Sequence, residues 1–199
     1  AAIPGALAAI AVVLMSGRED WYHRIAYFAM FGALGWSFGG SMSYMHVVSY
    51  THSGRPSSVL YGFANIFVIG FLWAALGGAG TALPAFWSSE QIISLFVPLI
   101  AIFAAWTIRD ILVDIFFHIN PMKRHESPLY WYDTDWLSVL ITIVTTLLVV
   151  AFRGSFDAAT SLILYMAVGW FVSFLLLVNL FKLRMTPPRG DNWSGCVGL

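Results

Sequence analysis

The chain has 199 residues, of which 59% are hydrophobic and only 10% are charged. Soluble domains carry about 25% charged residues, so a composition this apolar excludes an ordinary soluble fold. Ten basic and ten acidic residues give a formal net charge of zero, which excludes the strongly basic surface of a nucleic-acid-binding protein. The single cysteine, Cys196, cannot form an intrachain disulfide or build a zinc or iron–sulfur site by itself.

Apolar segments separated by charged, Gly-rich and Pro-rich connections dominate the chain. A membrane-spanning helix needs about 20 mainly apolar residues, and in lipid a helix satisfies its own backbone hydrogen bonds. The predicted spans are residues 1–16, 25–48, 59–87, 92–117, 136–152 and 158–181. Asp157, just before the last span, is predicted to cap its helix. The sequence therefore predicts an all-α, polytopic integral membrane helical bundle of about six transmembrane helices, forming a single domain over residues 1–185. Residues 186–199 are predicted to be a polar tail or linker toward a continuation of the chain.

The Lys and Arg residues predict the orientation of these spans, because short cytoplasmic loops carry the excess of positive charge. Arg18, Arg24 and Arg153 fall on one side of a six-span bundle. The larger group falls on the other side and comprises Arg55, Lys123, Arg124, Lys182, Arg184 and Arg189. The basic loops and both ends are therefore predicted to be cytoplasmic.

Small residues recur at helical spacing in the second and third predicted spans. Gly35, Gly39 and Ser43 follow one another every four residues and share one helix face. Small side chains on one face let another helix approach closely, which predicts a helix-packing contact. The third span carries a comparable set of small residues, and the predicted packing partners there are Gly70, Ala74 and Gly78.

A second interpretation of the same span is functional. Gly39 and Gly40 could interrupt the helix, as in the broken helices that bind ions and small substrates in transporters. The polar side chains that would then face a cavity are Ser37, Ser41, Ser43 and His46. An imidazole near neutral pH can exchange protons or bind a metal, but His46 has no second histidine at a suitable spacing.

Ionisable residues are concentrated near the end of the fourth predicted span. Asp110, Asp114 and His118 are spaced four residues apart and form one polar stripe, with Arg109 beside it. Carboxylates and an imidazole in a membrane helix could relay protons or coordinate a cation, with Arg109 as a counter-charge. The alternative is that these residues, close to the helix end, simply reach the headgroups.

These patterns leave three hypotheses for the function. The first is a transporter or channel component that moves a small solute or ion between the second and fourth spans. The second is a non-catalytic transmembrane subunit or assembly module of a larger membrane complex, with the lipid bilayer and other membrane subunits as partners. The third is a membrane-embedded enzyme or cofactor carrier, which is less favoured because the sequence contains no nucleophile elbow, zinc-protease helix, phosphate-binding loop or dinucleotide fingerprint. The sequence predicts no catalytic residue and no metal ligand, and it leaves the cofactor open.

Overall fold

The computed structural model describes residues 1–40, 45–117, 127, 129, 136–183 and 192–199, with the backbone alone at 45, 46, 192 and 193. Within these ranges the chain is built from helices and contains no strand. The helices are α1 Ala2–Ser16, α2 Glu19–Tyr22, α3 Ile25–Gly39, α4 Met45–Thr51, α5 Pro56–Phe86, α6 Ser89–Phe117, α7 Trp136–Arg153, α8 Ala158–Phe174 and α9 Asn192–Cys196. The segment Leu175–Leu180 continues α8 as a π-helix.

Four of these helices are long and apolar enough to cross a bilayer: α5, α6, α7, and α8 with its π-helical continuation. The chain is therefore a helical integral membrane protein, but helix length does not support the predicted count of about six spans. Helices α1 and α3 have 15 residues each. At 1.5 Å per residue each is about 22 Å long, which is shorter than the roughly 30 Å hydrocarbon core. The second predicted span corresponds to α3, which ends at Gly39, and to α4, which begins at Met45.

The turn between α7 and α8 is fixed by Asp157, as its position in the sequence predicted. The Asp157 carboxylate accepts a hydrogen bond of 2.8 Å from the backbone N–H of Thr160, and the Thr160 hydroxyl accepts one of 3.1 Å from the Asp157 N–H. This reciprocal pair caps the start of α8. Arg153 at the end of α7 adds an ion pair of 3.1 Å with the same carboxylate.

The electrostatic consequence is visible in the pKa of Asp157. Partial burial by itself raises this pKa, but the hydrogen bonds from Thr160 and the charge of Arg153 outweigh burial. The net result is a pKa below the usual aspartate value, so the carboxylate is ionised throughout the neutral range.

Two compact units make up the chain, Ala1–Glu90 and Gln91–Leu199. In the first unit α3 packs against both α1 and α5, and α4 packs against α5. Ala9 and Val13 of α1 are fully buried against Phe28 of α3. In the second unit α7 and α8 pack together, and α9 packs against α8. Trp170, Phe174 and Val178 recur every four residues along α8 and its continuation and form the buried face of this unit.

Candidate functional site

The contact between α3 and α5 brings the two backbones together. A Cβ atom added at Gly35 would lie 2.5 Å from the carbonyl oxygen of Leu76 and 3.0 Å from the Cα atom of Gly80. A Cβ atom added at Gly39 would lie 2.7 Å from the carbonyl oxygen of Trp73. Real side-chain atoms do not approach a carbonyl oxygen so closely, so only glycine fits at these positions. We call this contact the glycine seam.

Tryptophan side chains determine which face of α5 takes part in the glycine seam. The indole N–H of Trp73 donates a hydrogen bond of 3.1 Å to the carbonyl oxygen of Trp36. The indole of Trp36 in turn lies over Gly77, where an added Cβ atom would be 2.5 Å from the ring. Because α5 carries glycines at neighbouring positions, only these larger side chains fix its rotation about its axis.

The third-span residues predicted for packing lie elsewhere on α5. An added Cβ atom at Gly70 or Gly78 would meet no described atom within 4 Å, and Ala74 is exposed. The face that contacts α3 is instead formed by Trp73, Leu76, Gly77 and Gly80. The physical reason is that four-residue spacing identifies a face of small residues but does not distinguish it from a second such face on the same helix.

Ser37 is the part of the predicted polar path on α3 that the structure describes, and its side chain is half-buried. Ser41, Ser43 and His118, together with the side chain of His46, lie outside the described residues. Gly35 and Gly39 of α3 lie against α5, and Gly32 lies against Gly5 and Ala9 of α1. Helix α3 belongs to the first compact unit, whereas Arg109, Asp110 and Asp114 of α6 belong to the second.

Two hydrogen bonds join α6 to α7. The indole N–H of Trp106 donates to the carbonyl oxygen of Ser138 at 3.0 Å, near the start of α7. At the other end, the guanidinium of Arg153 lies 3.5 Å from the carbonyl oxygen of Ser94. Trp106, late in α6, lies beside Ser138, early in α7. Ser94, early in α6, lies beside Arg153, late in α7. The two helices therefore run antiparallel.

Helix α6 extends well beyond this contact. Helix α7 begins at Trp136, two residues before Ser138, whereas α6 continues from Trp106 to Phe117. Residues 108–117 therefore extend past the start of α7 by about 15 Å at 1.5 Å per residue. We call these ten residues the projecting end of α6. Most of its side chains are exposed, and Arg109 and Val113 are half-buried.

The projecting end has two distinct exposed faces. Four aliphatic side chains at spacing i, i+3, i+4 and i+7 form an apolar stripe: Ile108, Ile111, Leu112 and Ile115. Each of them is between 45% and 57% exposed. Asp110 and Asp114 lie one turn apart on another face, and both are exposed. The Arg109 side chain is only 18% exposed and contacts the Asp110 carboxylate at 2.8 Å.

The length of α7 indicates how deep the two aspartates lie. Helix α7 has 18 residues, about 27 Å, which is just enough to cross the hydrocarbon core. Its first residue, Trp136, therefore lies near one interface, where tryptophan is enriched. If α6 and α7 are parallel to the same normal, Asp110 lies about 3 Å and Asp114 about 9 Å farther out than Trp136. With that orientation, the acidic pair would lie at the membrane surface and not in the middle of the bilayer.

The sequence interpretation singled out the aspartates but missed the apolar stripe and the Trp106–Ser138 bond. The stripe has regular helical spacing, but nearly every position of α6 is apolar, so the spacing does not stand out. In the parts of the chain that the structure describes, no group of three or more His, Cys, Asp or Glu side chains could hold a metal ion. Comparisons with protein-family models, curated proteins and solved structures each found no match for this chain.

Proposed function

We propose that this chain is a non-catalytic transmembrane subunit or assembly module of a larger membrane complex, and that the projecting end of α6 binds another subunit. The observation that carries the proposal is the apolar stripe, which is exposed on a helix segment that extends past its neighbour α7. The projecting end extends beyond the hydrocarbon core in this proposal, so lipid chains do not cover its stripe, and contiguous apolar surface exposed to water marks interaction sites. The close contact of α3 with α5 supports the proposal further, because it uses the glycines for packing.

The chemistry of the projecting end defines the partner. A helix with its own apolar face could lie along Ile108, Ile111 and Ile115, as amphipathic helices do on apolar partner surfaces. Asp110 and Asp114 lie on another face of the projecting end and favour a partner that also presents Lys or Arg there, since opposite charges orient and accelerate association. The proposed partner is therefore a helix of another membrane subunit that has an apolar face and a basic edge.

The proposal includes a six-span topology with the basic loops and both ends in the cytoplasm. It is supported by the distribution of Lys and Arg along the chain. Helices α1 and α3 would complete the six spans, and a locally thinner bilayer accommodates short helices at modest cost. The projecting end would then lie on the cytoplasmic side, where soluble segments of a partner can also reach it.

The proposal is tested by changing the stripe and measuring assembly. The full chain is purified in mild detergent from its own membranes, and the particle mass is measured by native mass spectrometry. We expect a particle larger than the monomer, and we expect Ile111→Ser with Ile115→Ser to release the monomer. Asp110→Lys with Asp114→Lys should weaken the assembly at least tenfold if the partner has a basic edge.

The matched control is Ile93→Ser with Ile100→Ser. These two side chains of α6 are 56% and 66% exposed but lie before Trp106, outside the projecting end. The control should retain the large particle. A wild-type chain that is monomeric in every mild detergent, or stripe variants that retain the large particle, would overturn the proposal. A particle that contains only this chain would identify a second copy as the partner.

Transport of a cation or proton is the second candidate, and the acidic pair is the observation that favours it. Two carboxylates one turn apart at the end of a membrane helix would attract cations to the entrance of a pathway. The test is flux into liposomes that contain the purified chain. Flux that Asp110→Asn and Asp114→Asn abolish would support transport, whereas absence of flux in the wild-type chain would eliminate it.

A further inference from the structure

The last described segment of the chain, residues 192–199, packs directly on α8. The hydroxyl of Ser173 donates a hydrogen bond of 2.6 Å to the carbonyl oxygen of Ser194, and Ser194 is fully buried. Gly195 lies against the indole of Trp170, so that an added Cβ atom would overlap the ring. The segment is therefore held by a side-chain hydrogen bond and an aromatic contact.

A second glycine brings two backbones into contact. An added Cβ atom at Gly198 would overlap the carbonyl group of Gly169 and would lie 2.7 Å from the Cβ atom of Ser173. The Gly198 N–H is satisfied within the segment by a hydrogen bond of 2.9 Å to the carbonyl oxygen of Gly195. Close contact between glycine backbones is typical of helix packing inside membranes.

The direction of the segment takes it along α8 toward the middle of the span. Ser194 lies beside Ser173, and Gly198, four residues later, lies beside Gly169, so the segment runs antiparallel to α8. Helix α8 and its π-helical continuation form a candidate membrane span from Ala158 to Leu180. Gly169 is midway along that span, about 16 Å from either end at 1.5 Å per residue.

We propose that residues 192–199 form a membrane-embedded latch, a re-entrant segment that covers the small-residue face of α8 from inside the bilayer. Irregular backbone at membrane depth is tolerated only where protein or water satisfies its polar groups. The bonds at the Ser194 carbonyl and the Gly198 N–H satisfy part of that requirement. The proposal replaces the predicted polar tail over these residues, and it is independent of the projecting end of α6.

Cys196 lies within the latch and is the only cysteine of the chain, so its thiol reports on the latch without any engineering. The thiol is partly buried. A maleimide must reach the sulfur atom to react, so burial slows the reaction when the latch is closed. Displacement of the latch would expose the sulfur atom.

The test measures the rate of Cys196 modification by N-ethylmaleimide in membranes that contain the full chain, at constant pH. The wild-type rate should be at least tenfold below the rate of the same chain unfolded in detergent. Gly198→Leu should raise the rate at least tenfold, because the new side chain cannot fit against Gly169. Ser173→Ala, which preserves the glycine contact and removes only the hydrogen bond, should raise it by a smaller factor of two to five.

Val197→Leu is the matched control, since Val197 lies in the same segment and is 49% exposed. It should change the rate less than twofold. A bulky membrane-impermeant maleimide, applied from either side, should leave the wild-type chain unmodified. The latch is refuted if wild-type Cys196 reacts as fast as in the unfolded chain, or if Gly198→Leu and Val197→Leu react alike. Should Gly198→Leu fail to fold, an unchanged rate in Ser173→Ala refutes it.

Discussion

The glycine seam is a close contact between two apolar helices, whereas the projecting end of α6 is an apolar helix segment with exposed side chains. In the seam, α3 places Gly35 and Gly39 so close to α5 that the backbones touch. The projecting end extends past the start of α7 and leaves four large aliphatic side chains exposed. Lipid chains are as apolar as these side chains, so burial of apolar surface does not by itself drive helices together in a bilayer.

The difference shows what holds this protein together. Close packing and hydrogen bonds are the stabilising interactions between membrane helices, and the seam has both, including the bond from Trp73 to the Trp36 carbonyl oxygen. The projecting end follows Trp106, whose indole N–H donates a hydrogen bond to the Ser138 carbonyl oxygen. Substitutions in the seam should therefore change folding stability, whereas substitutions in the projecting end should change association.

The largest expected effect is at Gly35. Gly35→Ala places a methyl group against the Leu76 carbonyl oxygen and forces the backbones apart. Overpacking of this kind costs about 1–3 kcal/mol. The measurement is the free energy of unfolding in detergent micelles.

Gly78→Ala is the control for this comparison, because it is the same substitution on a face of α5 with no described atom within 4 Å of an added Cβ atom. It should be neutral, or stabilise by up to about 1 kcal/mol through the higher helix propensity of alanine. Equal effects of the two substitutions would show that α3 and α5 do not meet through Gly35.

The next effect is expected at Trp106. Trp106→Phe retains most of the ring and removes the N–H that donates to the Ser138 carbonyl oxygen. Loss of a hydrogen bond of this kind costs about 0.5–1.5 kcal/mol. The Thr142 hydroxyl also donates to that oxygen, at 2.8 Å, so the oxygen retains a partner and the effect should stay within this range.

Unfolding of Trp106→Phe in detergent micelles measures the loss, with Ile100→Leu as the control for a changed apolar side chain on an exposed part of α6. If Trp106→Phe left stability unchanged, the Trp106–Ser138 bond would not hold α6 against α7. The projecting end could then not be taken to begin after Trp106.

Helix boundaries were the most predictable part of this fold. The predicted spans 59–87, 92–117 and 136–152 agree within three residues with α5, α6 and α7. Each of these spans is a continuous apolar run bounded by Pro, Gly or charged residues, so the ends of the helix can be recognised from the neighbouring residues alone. The capping role of Asp157 was also confirmed, because a cap depends on residues only three positions away.

The contacts between helices were less predictable, because they depend on residues far apart in the chain. The spacing of Gly70, Ala74 and Gly78 suggested one face of α5, but the position of Trp36 selects another. The end of α3 at Gly39 shortens a predicted span that hydropathy alone makes continuous. Gly198 packs against Gly169. The sequence did not predict this contact, because the polar residues before Gly198 indicated a tail.

An effect of similar size is expected at Asp157. Asp157→Ala removes the cap of α8 and the ion pair with Arg153, and loss of a helix cap costs about 1 kcal/mol. Asp157→Asn retains an oxygen that can accept from the Thr160 N–H, so it should cost less. The difference between the wild-type chain and Asp157→Asn reports the charge, and the difference between Asp157→Asn and Asp157→Ala reports the cap.

The pH dependence follows from the lowered pKa of this carboxyl. The unfolded chain binds a proton at a higher pH than the folded chain does, so the contribution is complete above pH about 4 and is lost as the pH falls further. Unfolding of the wild-type chain and Asp157→Asn should therefore converge at low pH. If the stability difference persisted unchanged in acid, the ionised Asp157 carboxylate would not be the group that stabilises α8.

The smallest effect on stability is expected in the projecting end. Asp114→Asn removes a charge from an exposed side chain, and such substitutions usually change the free energy of unfolding by less than about 0.5 kcal/mol. Assembly should nevertheless weaken if the carboxylate meets a basic edge of the partner. Asp114→Asn should thus change the particle mass with little effect on the unfolding of the isolated chain, whereas Gly35→Ala should change unfolding and Gly78→Ala should change neither by much. If Asp114→Asn instead destabilised the isolated chain as much as Gly35→Ala does, the carboxylate would be part of the fold, and the distinction between a packed seam and an open helix end would no longer hold.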